Sequence, residues 1–276
     1  MQTLRIASLQ PSISITLDSL GCLDSLVACT KYCVDAVPAL KNTPVHVIQD
    51  SWSASTDEIL AANPNLVLAS VPYRMESLAA ILKAGCAILT LAPHCLADIY
   101  TDTVLLGRLV DRAAAAETLI QTMQAEIEAI RSRASQAATR PLVYCEEWGK
   151  PLIHSQRWVA ELVEAAGGRN FGTPGVTTTA DAVRAADPDV LIFAWCGAGD
   201  RVPMEKIARQ RGWENMRAVQ ERLAFCVPDE WLNTPAPTLL HGLHALAAAI
   251  QPEIFRDMQS PRAIQPIPAL ATPSKL

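Results

Sequence analysis

Five large aromatic residues sit where short apolar runs end. Trp52 follows the run 45–48, Tyr73 follows 66–70, Trp148 follows 142–146, Trp195 ends 190–194 and Trp231 follows 223–227. Each run reads as a β-strand, and in open parallel sheets ligands bind beyond the carboxyl ends of the strands. Flat aromatic faces in that position suit a large, largely apolar or macrocyclic ligand, held by stacking and area burial rather than by charge. Core packing is the commoner fate of any one tryptophan, and Trp158 and Trp213, within or beside helical stretches, are assigned to it. The recurrence at five strand ends carries the expectation of a site.

Other reactive side chains are less organised. His241 and His244 would share one helical face, and His94-Cys95 could bind a soft metal. Neither pair has further ligands at a suitable spacing, so metal held by protein side chains is not expected. Cys29 and Cys33 lie four apart, but Cys29 falls in a predicted strand, which argues against a shared helical face. Glu146 and Glu147 point to opposite sides of an extended chain and make no obvious acid–base pair. No Gly-x-Ser-x-Gly elbow, phosphate-binding loop or zinc-protease helix is present. Gly197-Ala-Gly199 lacks the third glycine of a dinucleotide loop, since position 202 is Val, and reads as a flexible strand exit. Glu76 and Glu205 each open a helix just after a strand, where an acidic residue complements the helix dipole. In a two-lobed binder they would also face a partner carrying arginines.

The elements that position these residues alternate. Strands are predicted at 5–9, 26–29, 45–48, 66–70, 87–91, 142–146, 190–194 and 223–227. Helical stretches are predicted at 15–20, 56–62, 75–84, 159–166 and 180–186. That alternation predicts an α/β protein with largely parallel sheets. Residues 102–136 hold one glycine, Gly107, and no proline. As one continuous helix they would span roughly 50 Å. Residues 57–69 (DEILAANPNLVLA) match 181–193 (DAVRAADPDVLIF), each position lying 124 residues before its counterpart. In both copies a short helix ends at Asn/Asp-Pro and feeds an apolar strand, a defined turn because proline bars helix continuation. Two related lobes are therefore expected. The layout is an α/β lobe at 1–100, a long connecting helix at 101–137, a second α/β lobe at 138–251 and a Pro-rich tail at 252–276 with no regular element.

The 276 residues carry 23 Lys+Arg against 28 Asp+Glu, a net charge of −5, and half are apolar. That supports packed cores and argues against disorder, and it offers no basic footprint for nucleic acid. No apolar run reaches the ~18 residues of a membrane span. Eight cysteines form no CxxC pair, and several sit in apolar runs as small buried hydrophobes. With no visible secretory signal, the thiols fit a reducing cytoplasm; removal of a leader would make the protein periplasmic.

The sequence resembles the helical-backbone (class III) substrate-binding proteins of ABC importers for cobalamin, haem and iron–siderophore complexes, and among them the cobalamin-binding group. The resemblance lies in the opening strand–Pro-Ser–helix–Gly pattern of 5–21, in 144–151 (YCEEWGKP) with 158–168 (WVAELVEAAGG), in 187–191 (DPDVL) and in 233–243 (NTPAPTLLHGL). It covers roughly residues 4–255. It implies two Rossmann-like α/β lobes with parallel sheets joined by one long α-helix, little hinge motion, no enzymatic activity and no resident cofactor. The ligand would lie between the lobes, with Tyr32, Trp52, Tyr73, Trp148, Trp195 and Trp231 near the contact loops. Glu76 and Glu205 would dock onto permease arginines, and the protein would act as a monomer without entering the membrane. Where relatives often carry His-Glu-Cys-Asp-Tyr-Pro, this chain has Lys31-Tyr-Cys33-Val-Asp-Ala-Val-Pro, keeping the cysteine and losing the histidine. A corrinoid, cobalamin, is the expected ligand. Haem or an iron–siderophore complex ranks lower, because an anionic siderophore would want more rim cations than Arg74, Lys150 and Arg201. A chelatase-like enzyme using His94, Cys95 or His244 is the third reading.

Overall fold

The computed structural model describes residues 4–50, 55–70 and 75–267. The chain divides into two compact units, Met1–Thr122 with Pro235–Pro237, and Met123–Thr234 with Thr238–Leu276. The first contains β1 (Ile6–Ser8), α1 (Pro11–Ser19), β2 (Leu26–Thr30), α2 (Lys31–Ala36), β3 (His46–Ile48), α3 (Thr56–Leu60), β4 (Leu66–Ser70), α4 (Met75–Lys83), β5 (Ala87–Leu91) and α5 (Leu96–Leu109). Its sheet has the order β3-β2-β1-β4-β5, with every pairing parallel. The interior strand β4 is buried along its whole length, as a strand covered on both faces must be. Pro235–Pro237 joins this unit because Ala236 is fully buried in its core.

α6 (Ala113–Ala134) runs from the first unit into the second, which holds β6 (Leu142–Gly149), β7 (Leu152–His154), α7 (Arg157–Ala165), β8 (Arg169–Asn170), β9 (Thr177–Thr178), α8 (Ala180–Ala186), β10 (Val190–Phe193), α9 (Met204–Arg211), α10 (Arg217–Gln220), β11 (Ala224–Cys226), α11 (Asp229–Leu232), α12 (Leu239–Ile250) and β12 (Arg262–Ala263). The sheet order is β12-β11-β10-β6-β7-β9. β8 pairs parallel with the first residues of β6, and β7 pairs antiparallel with its last ones. β10 runs parallel to both β6 and β11.

The repeated segment is a structural repeat. Ser55 caps α3 by accepting the Glu58 N–H, and its counterpart Thr179 caps α8 by accepting the Ala182 N–H. Both turns then pass through a left-handed residue before proline, Asn63 at φ 50° and Asp187 at φ 42°. Asn and Asp tolerate that conformation best among residues with a side chain. Each turn delivers a strand, β4 or β10, to the interior of its sheet.

Two expectations are corrected. The run 102–136 is not one helix: α5 and α6 are separated at Asp111, whose φ of 57° lies in the left-handed region. The Arg112 N–H bonds back to the Gly107 carbonyl, and Ala116 packs where a Gly107 side chain would stand. No proline marks the break; an Asp in αL is enough. The tail is also not devoid of regular structure. β12 pairs antiparallel with β11, and Phe255 is buried with the Arg133 guanidinium 4.6 Å from its ring centroid. Pro261 precedes β12, where its missing N–H costs an edge strand nothing.

Asp102 on α5 lines a small cavity with Ser12, Thr16 and Ser70. Burial, with the charge of Asp98 second, pushes its carboxyl up to about 6. Aspartate in an unfolded chain titrates near ~3.9. Between these values the native state keeps a proton that the unfolded chain releases, so stability falls as pH rises through the window and stays lowered above it. Asp102→Asn removes this loss. Melting curves from about pH 3.5 to 7 should show the variant without that fall and a few degrees above the parent at neutral pH; a parental slope would refute the assignment.

Candidate functional site

The carboxyl edge of the second sheet gathers three of the expected aromatics. Trp148 is the penultimate residue of β6, Trp195 lies two residues past β10, and Trp231 is in α11, which follows β11 directly. Trp148 is 44% exposed, and its indole N–H donates to the Lys150 carbonyl at 2.8 Å. Trp195 is half-buried and lies over Gly149: a Cβ added there would stand 2.3 Å from the indole ring. Trp231 packs beside the His241 ring, 5.6 Å between centroids. Trp158 and Trp213 are buried, as assigned.

Behind this edge lies a fully buried carboxylate. Glu146 accepts both guanidinium arms of Arg211, Nη1 to Oε2 at 2.8 Å and Nη2 to Oε1 at 2.9 Å. It also accepts the Trp195 indole N–H on Oε1 at 2.7 Å and the Tyr144 hydroxyl on Oε2 at 2.5 Å. Burial, then the neighbouring carboxylate, raises the Tyr144 phenol far above its ordinary range, so it stays a donor. The Arg211 guanidinium also rests 4.8 Å from the centre of the Trp213 ring, tying the cluster to the core. Glu147, on the other strand face, accepts from Gln156 Nε2 at 2.6 Å, and burial raises its carboxyl pKa.

The exit of β10 is pinned rather than flexible. The Asp229 carboxylate accepts the N–H groups of Gly197 and Gly199, each at 2.8 Å, with both glycines at positive φ. Asn233 donates to the Ala194 carbonyl at 2.5 Å. Of these supporting residues, Tyr144, Arg211 and Asp229 went unread in the sequence. The available signal was strand alternation, which places Tyr144 and Glu146 on one face of β6; the strand register is then broken before Trp148.

The remaining expected residues are dispersed. Tyr32 is 45% exposed on α2, with Lys31 Nζ 5.1 Å from its ring centroid. Trp52 and Tyr73 lie outside the described residues. Glu76 is in the first turn of α4, its side chain outside the described set. Glu205 is in the first turn of α9 and accepts the Gln265 N–H of the tail at 2.8 Å.

The backbone N–H groups of His94 and Cys95 donate to the Asp98 carboxylate, and His244 Nε2 is bonded to Glu126 at 2.6 Å. Among the described residues no three His, Cys, Asp or Glu side chains gather as a metal site. All eight cysteines are free, and only Cys95 and Cys196 have appreciable exposure. Cys33 is buried, and hydrogen bonds from Cys29, Ser14 and Thr30 hold its thiol below the ordinary range. No described helix is long and apolar enough to cross a membrane.

Residues 6–230 match the family described as "Periplasmic binding protein". The chain belongs to that family, the class III substrate-binding proteins of ABC import. An uncharacterized ABC transporter substrate-binding lipoprotein of Bacillus subtilis is 22% identical over 265 residues, covering 92% of this chain and 82% of that one. A protein of Halobacterium salinarum named cobalamin-binding protein is 24% identical over 254 residues, covering 89% and 69%. Among solved structures, the periplasmic heme-binding protein RhuT from Roseiflexus sp. RS-1, in apo form, superimposes with a TM-score of 0.78 at 23% identity, covering 92% of this chain and all of that one. The two α/β units and their parallel strands are those of the family.

The buried pair should dominate local stability. Removing one partner of such a pair leaves an uncompensated charge and costs about 3–5 kcal/mol. An exposed pair such as Arg131–Glu128 contributes about 0–1 kcal/mol. Urea unfolding is expected to show Arg211→Met losing stability in the former range and Arg131→Gln in the latter. Equal small losses would contradict the burial assigned to Glu146.

Proposed function

We propose that this substrate-binding protein captures a corrinoid, cobalamin, and delivers it to an ABC permease, without catalysing a reaction. The observation that carries this reading is the tryptophan edge of the second sheet, where Trp148 lies in the last residues of β6 and Trp195 and Trp231 follow the neighbouring strands β10 and β11. A corrin is a broad, weakly charged macrocycle, and stacking with area burial suits it better than a charged pocket does. The cobalamin-binding relative from Halobacterium salinarum supports the same ligand. Tyr32, Trp52 and Tyr73 supply the aromatic contacts of the first unit in this reading. Glu76 and Glu205 meet arginines on the permease, and the binding protein works as a monomer.

Haem is the competing occupant, favoured by the structural likeness to a heme-binding protein. Haem carries two propionates that need cations, and beside the described tryptophan edge Arg211 is already committed to Glu146, which leaves Lys150 and Arg201. That commitment favours the corrinoid.

Titration of the purified protein with cyanocobalamin, and separately with haemin, decides between them. Saturable changes in corrin absorbance and tryptophan fluorescence at micromolar concentrations are expected, with haemin binding weaker. Trp148→Ala should weaken cobalamin binding about tenfold, equivalent to about 1.4 kcal/mol. Absence of saturation with cobalamin, or tighter binding of haemin, would overturn the reading.

A further inference from the structure

Trp195 differs from a surface tryptophan in how completely its position is determined. An indole has one hydrogen-bond donor, and here that donor is aimed at the buried carboxylate of Glu146, 2.7 Å away. Its ring lies on Gly149, whose missing side chain is the only reason it can lie there: the three nearest atoms to an added Cβ are all Trp195 ring carbons, the closest at 2.3 Å. Glu146 is itself immobile. Its two oxygens accept four hydrogen bonds, two from Arg211, one from Tyr144 and one from Trp195. Arg211 in turn stacks on Trp213, a fully buried core residue.

We propose that Glu146, Arg211 and Gly149 are positioning residues that hold the Trp195 indole in one fixed plane, as a preformed stacking face for the ligand. The proposal rests on the binding reading above and adds to it which aromatic is rigid and why. A ring free to change rotamer must be ordered when the ligand arrives, and that ordering weakens binding; a ring already fixed escapes the loss. The carboxylate and guanidinium touch no ligand themselves. They act through the indole, and the glycine acts by leaving room for it.

Gly149 gives the cleanest test, because Gly149→Ala displaces the ring while leaving the buried ion pair intact. The backbone there is not in the left-handed region, so the substitution carries no conformational strain of its own. In the ¹⁵N-indole spectrum of the parent protein, the Trp195 Nε1–H resonance should lie downfield and exchange slowly with solvent, as expected of a bond to an ionised acceptor. In Gly149→Ala, and in Glu146→Gln where it folds, that resonance should move toward the position of an exposed indole and lose its protection. Unchanged position and protection in Gly149→Ala would overturn the proposal.

Cobalamin affinity supplies the second readout. Gly149→Ala should bind about tenfold more weakly than the parent, yet make no further difference in a Trp195→Ala background. An equal loss in both backgrounds would show that the glycine acts otherwise than through the indole, and would also overturn the proposal. A parent protein that binds no cobalamin would refute the corrinoid reading alone, since the indole spectrum judges the fixed plane without any ligand.

Discussion

A carboxylate with no exposure to water must find its full complement of donors within the protein. Glu146 does so at the edge of a sheet, and much of the second unit is arranged around that requirement. β6 brings Tyr144 and Glu146 to one face; the last residue of α9, Arg211, supplies the countercharge; the strand exit of β10 supplies the Trp195 indole. The pair is a poor source of net stability, because desolvating two charges offsets most of their attraction. Its worth is geometric. A bidentate guanidinium–carboxylate contact fixes both planes at once, and the third and fourth donors then fix the strand, helix and loop that carry them.

The general architecture was legible because it depends on local signals that survive in a single sequence. The eight predicted strands all exist, each a short apolar run; six lie in a sheet interior, and β3 and β5 form the two edges of the first sheet. The repeat at 57–69 and 181–193 was legible because Asn/Asp-Pro leaves a chain little choice of turn, and its capping residues Ser55 and Thr179 lie at matching positions. β7, β8, β9 and β12 were not foreseen. They are two or three residues long, too short for any periodicity, and they form because a neighbouring strand offers unpaired backbone groups. The break at Asp111 escaped notice for a related reason. Asp is a tolerable helix residue, so nothing local distinguishes the one that adopts αL. What selects it is the contact of Ala116 with Gly107, which exists only in the folded chain.

The site was legible to a different degree. Tryptophan beyond a strand end is visible in the sequence; Trp195 and Trp231 lie past β10 and β11, whereas Trp148 is still inside β6, which runs on to Gly149. Their supporting shell was not visible, because its members come from distant parts of the chain. Arg211 is 65 positions from Glu146, and Asp229 is 32 from Gly197. The glycines of the Gly197–Gly199 exit were read as a source of mobility. Their positive φ angles serve instead to turn two N–H groups toward one carboxylate, which makes the exit a fixed support for the residue before it.

These supports constrain what the edge can recognise. Two charged groups beside the tryptophans are neutralised within the protein: Arg211 by Glu146, and Asp229 by two backbone N–H groups. In the proposed site the ring faces meet the ligand while these two charges face inward. Discrimination in the proposed corrinoid site rests more on shape and stacking area than on charge, since Arg211 is already spent on Glu146. In that reading the Glu146–Arg211 pair has two consequences: it sets the plane of an aromatic, and it withdraws Arg211 from an anionic ligand, leaving the exposed Lys150 and Arg201 as the cations of the neighbouring loops.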